Sequence, residues 1–426
     1  MPFVPDYPQW VLWSVTGTMP SGPGSASKVG AMHRLRNGVQ NYDWGSPDAI
    51  PRFLGDKGSE KPVAEMWIGT HPLKPSMALD ADGAERPLAE VAGELPFMVK
   101  LLAADQPLSL QVHPSRSLAE KGFARENEAG IPLGAPERVY KDPNHKPEMV
   151  YALSTFDSLI GFRPTAEILR VLGPLDTPLS QRLADDLRAD PGFAGIVRRV
   201  QWLLSADIGA GEVHQIVGAC RALGGLGMDI KRAYRTVVEV AEHHPDDIGV
   251  VISLLLNRMT LQPGEAAYLE TGVIHAHLKG LCLEVMATSD NVLRAGLTSK
   301  HIDPAGLVAC LDIGMARVAR VTPDFLDGDA EVFSPADVEF ALAVTQISHA
   351  APEGVELVRA DHSVLICTGG EVVVSSEAGE KVTLSRGESL YLGPDDRRAV
   401  IQGLGEVAQA YVPQSRAVHS RLVDVV

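Results

Sequence analysis

The chain has 426 residues, 45% of them hydrophobic, and a formal net charge of −16 at pH 7, a length that predicts two or three domains with sizeable cores. The acidic balance excludes nucleic acid as a partner, because a phosphate backbone requires a basic surface, and no apolar run reaches the length of a membrane span. Cys220, Cys282, Cys310 and Cys367 contain no C-x-x-C pair, so they read as buried thiols of a cytoplasmic protein and not as a disulfide frame.

Residues 1–31 are rich in Pro, Gly and Ser. Trp10-Val-Leu-Trp13 is too short for the core of a secretory signal, and no basic segment precedes it. This stretch reads as a loosely ordered extension or as a start assigned too early, with Met19 and Met32 as alternative starts.

From Val39 to about Arg163, short apolar runs broken by Gly, Pro and Asp predict strands, as in 96–102 and 149–153. Two polar motifs interrupt them. In Ser109-Leu-Gln-Val-His-Pro114, Gln111 and His113 are two apart, so on a strand both face one side. About thirty residues later, Asp142-Pro-Asn-His-Lys-Pro-Glu148 offers a carboxylate, Glu148.

Gly161-Phe-Arg-Pro164 marks a break. Helical spacing follows in Val197, Val200, Leu203 and Leu204, in Val213, Ile216, Val217, Cys220 and Leu223, and in Ile230, Ala233, Tyr234, Val237, Val238 and Ala241. Four or five helices are expected over 165–245. Strands return from Ile248, and Gly272-Val-Ile-His-Ala-His-Leu278 adds His275 and His277.

The chain also echoes itself. Leu261-Gln-Pro-Gly-Glu-Ala-Ala-Tyr-Leu269 matches Leu384-Ser-Arg-Gly-Glu-Ser-Leu-Tyr-Leu392 at Gly, Glu, Tyr and Leu. A Gly-Glu turn between strands suits a cupin-type jelly roll. The predicted fold class is therefore mainly β with a helical insertion: two jelly-roll barrels plus an α-helical domain. The predicted divisions are 1–31, the extension; 32–164 with 246–325, a metal-binding barrel; 165–245, the helical insertion; and 326–426, a second barrel. In the echo His275 falls opposite Arg398, and the second copy lacks Gln-x-His. The second barrel is expected to be metal-free, giving one metal per chain.

Two His and a Glu suit a divalent ion of the zinc type. Gln is a neutral, weak ligand, so a cation held by a single carboxylate keeps net positive charge for polarising a substrate oxygen. Read singly, Gln-x-His is also compatible with two satisfied polar residues, and Glu148 with a solvated carboxylate.

The wording around these residues is more specific. LSLQVHP, NHKPEM and SDNVLRAGLT (289–298), together with Asn37-Gly-Val-Gln-Asn-Tyr-Asp-Trp-Gly45 and Ala64-Glu-Met-Trp-Ile-Gly69, resemble the type I mannose-6-phosphate isomerases. The resemblance is strong over about 33–305 and looser beyond. It implies a zinc ion held by Gln111, His113, Glu148 and His275. It also implies interconversion of mannose 6-phosphate and fructose 6-phosphate through an enediol, in a protein expected to be a monomer. His277 departs from the family, which usually has Tyr in His-Ala-Tyr. It is expected to be a hydrogen-bonding support, a substrate contact or an extra ligand.

Such an isomerisation needs a proton-transfer base. Lys146 and Glu284 remain alternatives. His145 and Asp290 are open between supporting the site and serving in ring opening or proton relay. Arg294 resembles the family's active-site arginine, suited to fork onto an oxyanion or phosphate. Ser109, Lys100 and Lys300 are further phosphate candidates, since an acidic protein taking an anionic sugar must reverse its field locally. Two other classes compete: a sugar-phosphate-binding cupin without isomerase activity, and an iron-dependent cupin oxygenase, for which Gln111 fits poorly as a fourth ligand.

Overall fold

Side-chain alternation along three long strands sets the architecture. The structure is a computed structural model. It describes residues 32–80, 83–224, 228–311, 319–325, 330–348, 351, 353–413 and 421–424. The expected extension at 1–31 lies outside the described residues.

Strand outweighs helix. One sheet runs in order through 38–40, 65–68, 97–104, 275–287, 148–152, 266–269, 319–322 and 421–424. Phe97–Ala104 is buried at every position, as expected of a strand covered on both faces. Phe97, Val99, Leu101 and Ala103 pack with Met149, Tyr151, Leu283 and Val285 against Phe333, Leu342, Val364 and Ile366 of a second sheet. The alternate residues Met98, Lys100 and Leu102 must then face the other way, together with Glu148, Val150, Cys282 and Glu284. Polar residues at this spacing line the interior of the first sheet.

His275–Ala287 is the axis of that sheet. Its C-terminal half pairs with Phe97–Ala104 and Glu148–Ala152. Its N-terminal half pairs with Phe156–Phe162, and His275 pairs with Gln111. The register shifts between His277 and Lys279. Gly280 sits at the bend with φ of 122°, and a Cβ there would lie 2.5 Å from the Thr155 carbonyl oxygen. A glycine is required at this point.

The internal echo forms the same turn twice. Gly264 and Gly387 both have φ of 90°. Glu265 accepts from the Gln262 backbone N–H, and Glu388 from the Ser385 N–H, each at 2.7 Å. Ala266–Leu269 and Ser389–Leu392 follow as strands. At the position matching His275, Arg398 is an exposed side chain paired with Glu356 and Glu377.

The second sheet contains 330–333, 341–347, 363–376, 389–392 and 399–411. It also takes Met32–Arg36, which lies between Ser389–Leu392 and Met77–Leu79. In return Arg421–Asp424 pairs with Ala319–Thr322 of the first sheet. Each sheet thus borrows strands from beyond the expected boundary at 325/326.

Among the described residues, five α-helices span the insertion: Thr165–Leu172, Pro178–Ala189, Phe193–Ser205, Ala210–Ala222 and Met228–His243. Thr177 and Ser180 form a capping box ahead of Pro178 at the first helical position, a strong start signal. The apolar stripes meet in one core that continues into Leu110, Val112, Leu293 and Ala295. The helices therefore brace the strands that carry Gln111 and Arg294. The four cysteines are buried and unpaired. No helix among the described residues is long and apolar enough to cross a membrane.

Candidate metal centre

Three strands bring the four proposed ligands together. Gln111 lies on Leu110–Val112, His113 just after it, Glu148 opens Glu148–Ala152, and His275 opens His275–Ala287. Glu148 is the hub. His113 Nε2 is 3.2 Å from one of its oxygens and His275 Nε2 is 3.4 Å from the other. The Gln111 amide reaches His275 Nε2 at 3.4 Å. Half a turn of that amide presents its oxygen instead.

The tautomers suit metal binding. His113 Nδ1 bonds the Asn291 carbonyl oxygen at 2.7 Å, and His275 Nδ1 bonds that of Val273 at 3.0 Å. A carbonyl only accepts, so each Nδ1 carries the proton and each Nε2 turns a lone pair toward Glu148. His113 Nε2 and Glu148 Oε2 are buried with no hydrogen-bond partner. Lone pairs facing a carboxylate repel it unless a cation stands between them. Burial and the nearby Lys146 ammonium lower the His113 pKa to about 4, so the ring is neutral at pH 7. Burial works to raise the Glu148 pKa, but the Lys146 ammonium 3.1 Å away favours the charged form and the carboxyl lies below its ordinary value. One carboxylate, two neutral imidazoles and an amide form a coherent donor set for zinc.

An Asn–Asp hub joins the two polar motifs. The Asn291 amide donates to the carbonyls of Asp142 and Asn144 and accepts from the Lys141 N–H. The Asp142 carboxylate accepts from Ser289 Oγ and the Asp290 N–H, both at 2.8 Å. The Asn291 carbonyl oxygen is the group that orients His113.

Beside the hub runs a buried ionic chain. Lys100 Nζ lies 3.2 Å from Glu284 and 3.6 Å from Glu65, and Trp67 Nε1 donates to Glu65 at 2.7 Å. His277 Nε2 lies 3.4 Å from Glu284, and its Nδ1 bonds Ser158 Oγ at 2.9 Å. Burial opposes the charge on Glu284, but Lys100 and His277 pull its pKa down to about 2. Burial likewise opposes the charge on Lys100, but Glu65 and Glu284 raise its pKa. Carboxylates thus flank Lys100 on both sides. His277, Glu284 and Glu148 also lie close enough together to share an ion. Lys100 already neutralises that side, and a second divalent ion would add uncompensated charge.

The remaining candidates divide by surroundings. Lys146 Nζ is 3.1 Å from Glu148. Asp290 is 3.2 Å from His71 Nε2; burial opposes its ionisation, but His71 holds its pKa below the ordinary value. His145 contacts Glu339 and Arg116. Arg294 pairs in register with Gln111. Burial lowers its pKa with no carboxylate offsetting the effect. The Lys300 ammonium is also lowered, by desolvation and then by the Arg294 charge. Ser109 is half-buried beside Leu110–Val112. Two glycines seat the Arg294 strand: a Cβ on Gly296, at φ of 131°, would lie 2.7 Å from Gly249 Cα.

Glu65, Trp67, His71, Asp142 and Asn291 are not singled out by the sequence patterns. Glu65-x-Trp67 has the same two-residue spacing as Gln111-x-His113, and that spacing is the signal that marks it.

A family model described as the catalytic domain of type I phosphomannose isomerase matches residues 32–165. The chain is 36% identical over 398 residues to the mannose-6-phosphate isomerase of Salmonella typhimurium, covering 89% of this chain and 99% of that protein. It is 30% identical over 402 residues to the Homo sapiens mannose-6-phosphate isomerase, covering 84% and 92%. A crystal structure of the Salmonella typhimurium enzyme bound to its substrate fructose 6-phosphate and to zinc superposes with a TM-score of 0.78 at 35% identity, covering 90% of this chain and 99% of that one. A zinc-bound holo structure of mannose 6-phosphate isomerase is similar at the same TM-score.

Proposed function

The chain belongs to the type I mannose-6-phosphate isomerases, and on that premise we propose that it interconverts D-mannose 6-phosphate and D-fructose 6-phosphate at the Glu148 centre, through an enediol. The observation that carries this reading is the pair of buried imidazoles whose Nδ1 protons are spent on backbone carbonyls, leaving both Nε2 lone pairs on one carboxylate. Gln111, His113, Glu148 and His275 hold one zinc ion per chain. Bound there, zinc supplies a Lewis acid for the sugar's O1 and O2 oxygens and a template for orienting them.

The other residues divide the work. Arg294 and Lys300 form the local cationic pocket for the anionic substrate, with Ser109 as a polar contact. Lys146 moves the proton between C1 and C2. Glu284 suits that role poorly, because Lys100 and His277 hold it as a weakly basic, fully paired carboxylate. Lys146 contacts one carboxylate, and that carboxylate is a metal ligand. His145 and Asp290 serve ring opening. His277 stands in for the family Tyr as a support of the site, held by Ser158 and facing Glu284.

The echoed turns support two cupin-type jelly rolls that exchange edge strands, with the helical insertion at 165–245 and metal confined to the first barrel. We read the protein as a cytoplasmic monomer whose product feeds central carbohydrate metabolism or the supply of activated mannose.

An enediol route exposes the migrating proton to solvent. Fructose 6-phosphate formed from mannose 6-phosphate in deuterium oxide should carry deuterium at C1, detected by NMR. Product free of deuterium at early conversion would point to hydride migration and remove the base from the mechanism.

A further inference from the structure

A residue at the edge of the second sheet reaches His145. Glu339 lies just before the strand Ala341–Ile347, 194 residues from His145 in the chain. Its two carboxylate oxygens lie 2.7 and 2.9 Å from His145 Nε2. Arg116, the first residue of the helix Arg116–Glu128, donates to the same carboxylate and lies 2.9 Å from the same nitrogen.

A guanidinium only donates and a carboxylate only accepts, so they demand opposite states of Nε2. The carboxylate approaches with two oxygens, one of them closer than the arginine, and Arg116 is already bonded to it. Nε2 therefore carries the proton and donates to Glu339, and Arg116 anchors the carboxylate from the other side. In the neutral ring the lone pair then falls on Nδ1, which has no partner among the described residues.

We propose that Glu339 is a positioning residue of the active site, fixing His145 as the Nε2–H tautomer so that Nδ1 is the proton acceptor in opening the sugar ring. This rests on the reading of His145 as a ring-opening residue. The proton on O1 passes to Nδ1, C1–O1 becomes the carbonyl, and the C1–O5 pair leaves on O5. O5 takes a proton from water, and the imidazolium returns its own proton to solvent. A sheet whose echo lacks the metal motif thereby acquires a part in catalysis: it orients a base on the loop that carries Lys146 and leads into Glu148.

The test is a double-mutant cycle on the zinc-loaded full chain, with mannose 6-phosphate as substrate. Glu339→Ala should lower kcat by about tenfold, with KM, zinc content and melting temperature near wild type. Glu339→Gln should recover most of the rate, because its amide oxygen still accepts from Nε2. In a His145→Ala background, Glu339→Ala should cost nothing further. Wild-type kcat in Glu339→Ala, or losses that multiply in the double variant, would overturn the proposal while leaving the ring-opening role intact. Wild-type kcat in His145→Ala would overturn that role and the proposal with it.

Discussion

Arg294→Ala should lower kcat/KM for mannose 6-phosphate by two or more orders of magnitude while leaving zinc content unchanged. Losing one charged, hydrogen-bonded contact from a buried site costs roughly 2–5 kcal/mol, and each 1.4 kcal/mol is about tenfold. Among the described residues, Arg294 has no carboxylate partner that its loss would strand. Its strand pairs in register with the one carrying Gln111, so the guanidinium is held close to the metal ligands without being one. Arg294→Lys should recover only part of the rate, because an ammonium cannot reproduce the planar fork. Lys300→Ala should mainly raise KM, since its charge adds to that of Arg294 in the proposed pocket without touching a proposed metal ligand. Steady-state kinetics with parallel elemental analysis separate these effects. Near-wild-type kcat/KM in Arg294→Ala would remove it from the site and leave the phosphate to Lys300 and Ser109.

His113→Ala should abolish activity and bound zinc together. His113 supplies one of the two imidazoles that pair with Glu148 among the described residues. Its neighbour Lys146 is already 3.1 Å from the same carboxylate oxygen and gains that oxygen when the ring is gone. A carboxylate closed by an ammonium is a poor ligand, and the remaining set of one imidazole and one neutral amide is weak. The variant should fold, since the Asn291 and Asp142 hub that seats the loop does not depend on the imidazole ring. A His113→Ala protein that retains one zinc per chain would remove His113 from the ligand set.

The apolar run that forms Phe97–Ala104 and the helical spacing over 165–245 are local patterns, and both could be read in the chain. So could the Gly-Glu turn, because Gly264 and Gly387 impose the same positive φ and Glu265 and Glu388 close it with the same bond. The proposed metal ligands could be picked out of the chain because three short motifs carry them. Their meeting depends on strand pairings that no local pattern records.

The same pairings explain what could not be read. The partners of Lys100 appear only in the sheet, where Glu284 falls directly opposite it in register and Glu65 comes in from the neighbouring strand. Glu339 reaches His145 across 194 residues. Met32–Arg36 belongs to the second sheet because its partners are Ser389–Leu392 and Met77–Leu79. Each is a long-range contact whose chemistry appears only once the two segments lie side by side.

The central claim is that one zinc ion at the Glu148 centre converts mannose 6-phosphate to fructose 6-phosphate. It is tested most directly by measuring that turnover and zinc content together on the purified chain, before and after chelation and again after zinc is restored. The account predicts one zinc per chain, turnover that disappears in proportion to zinc removed, and recovery on reloading. Full turnover by the metal-free protein, or none by the protein carrying one zinc per chain, would contradict it.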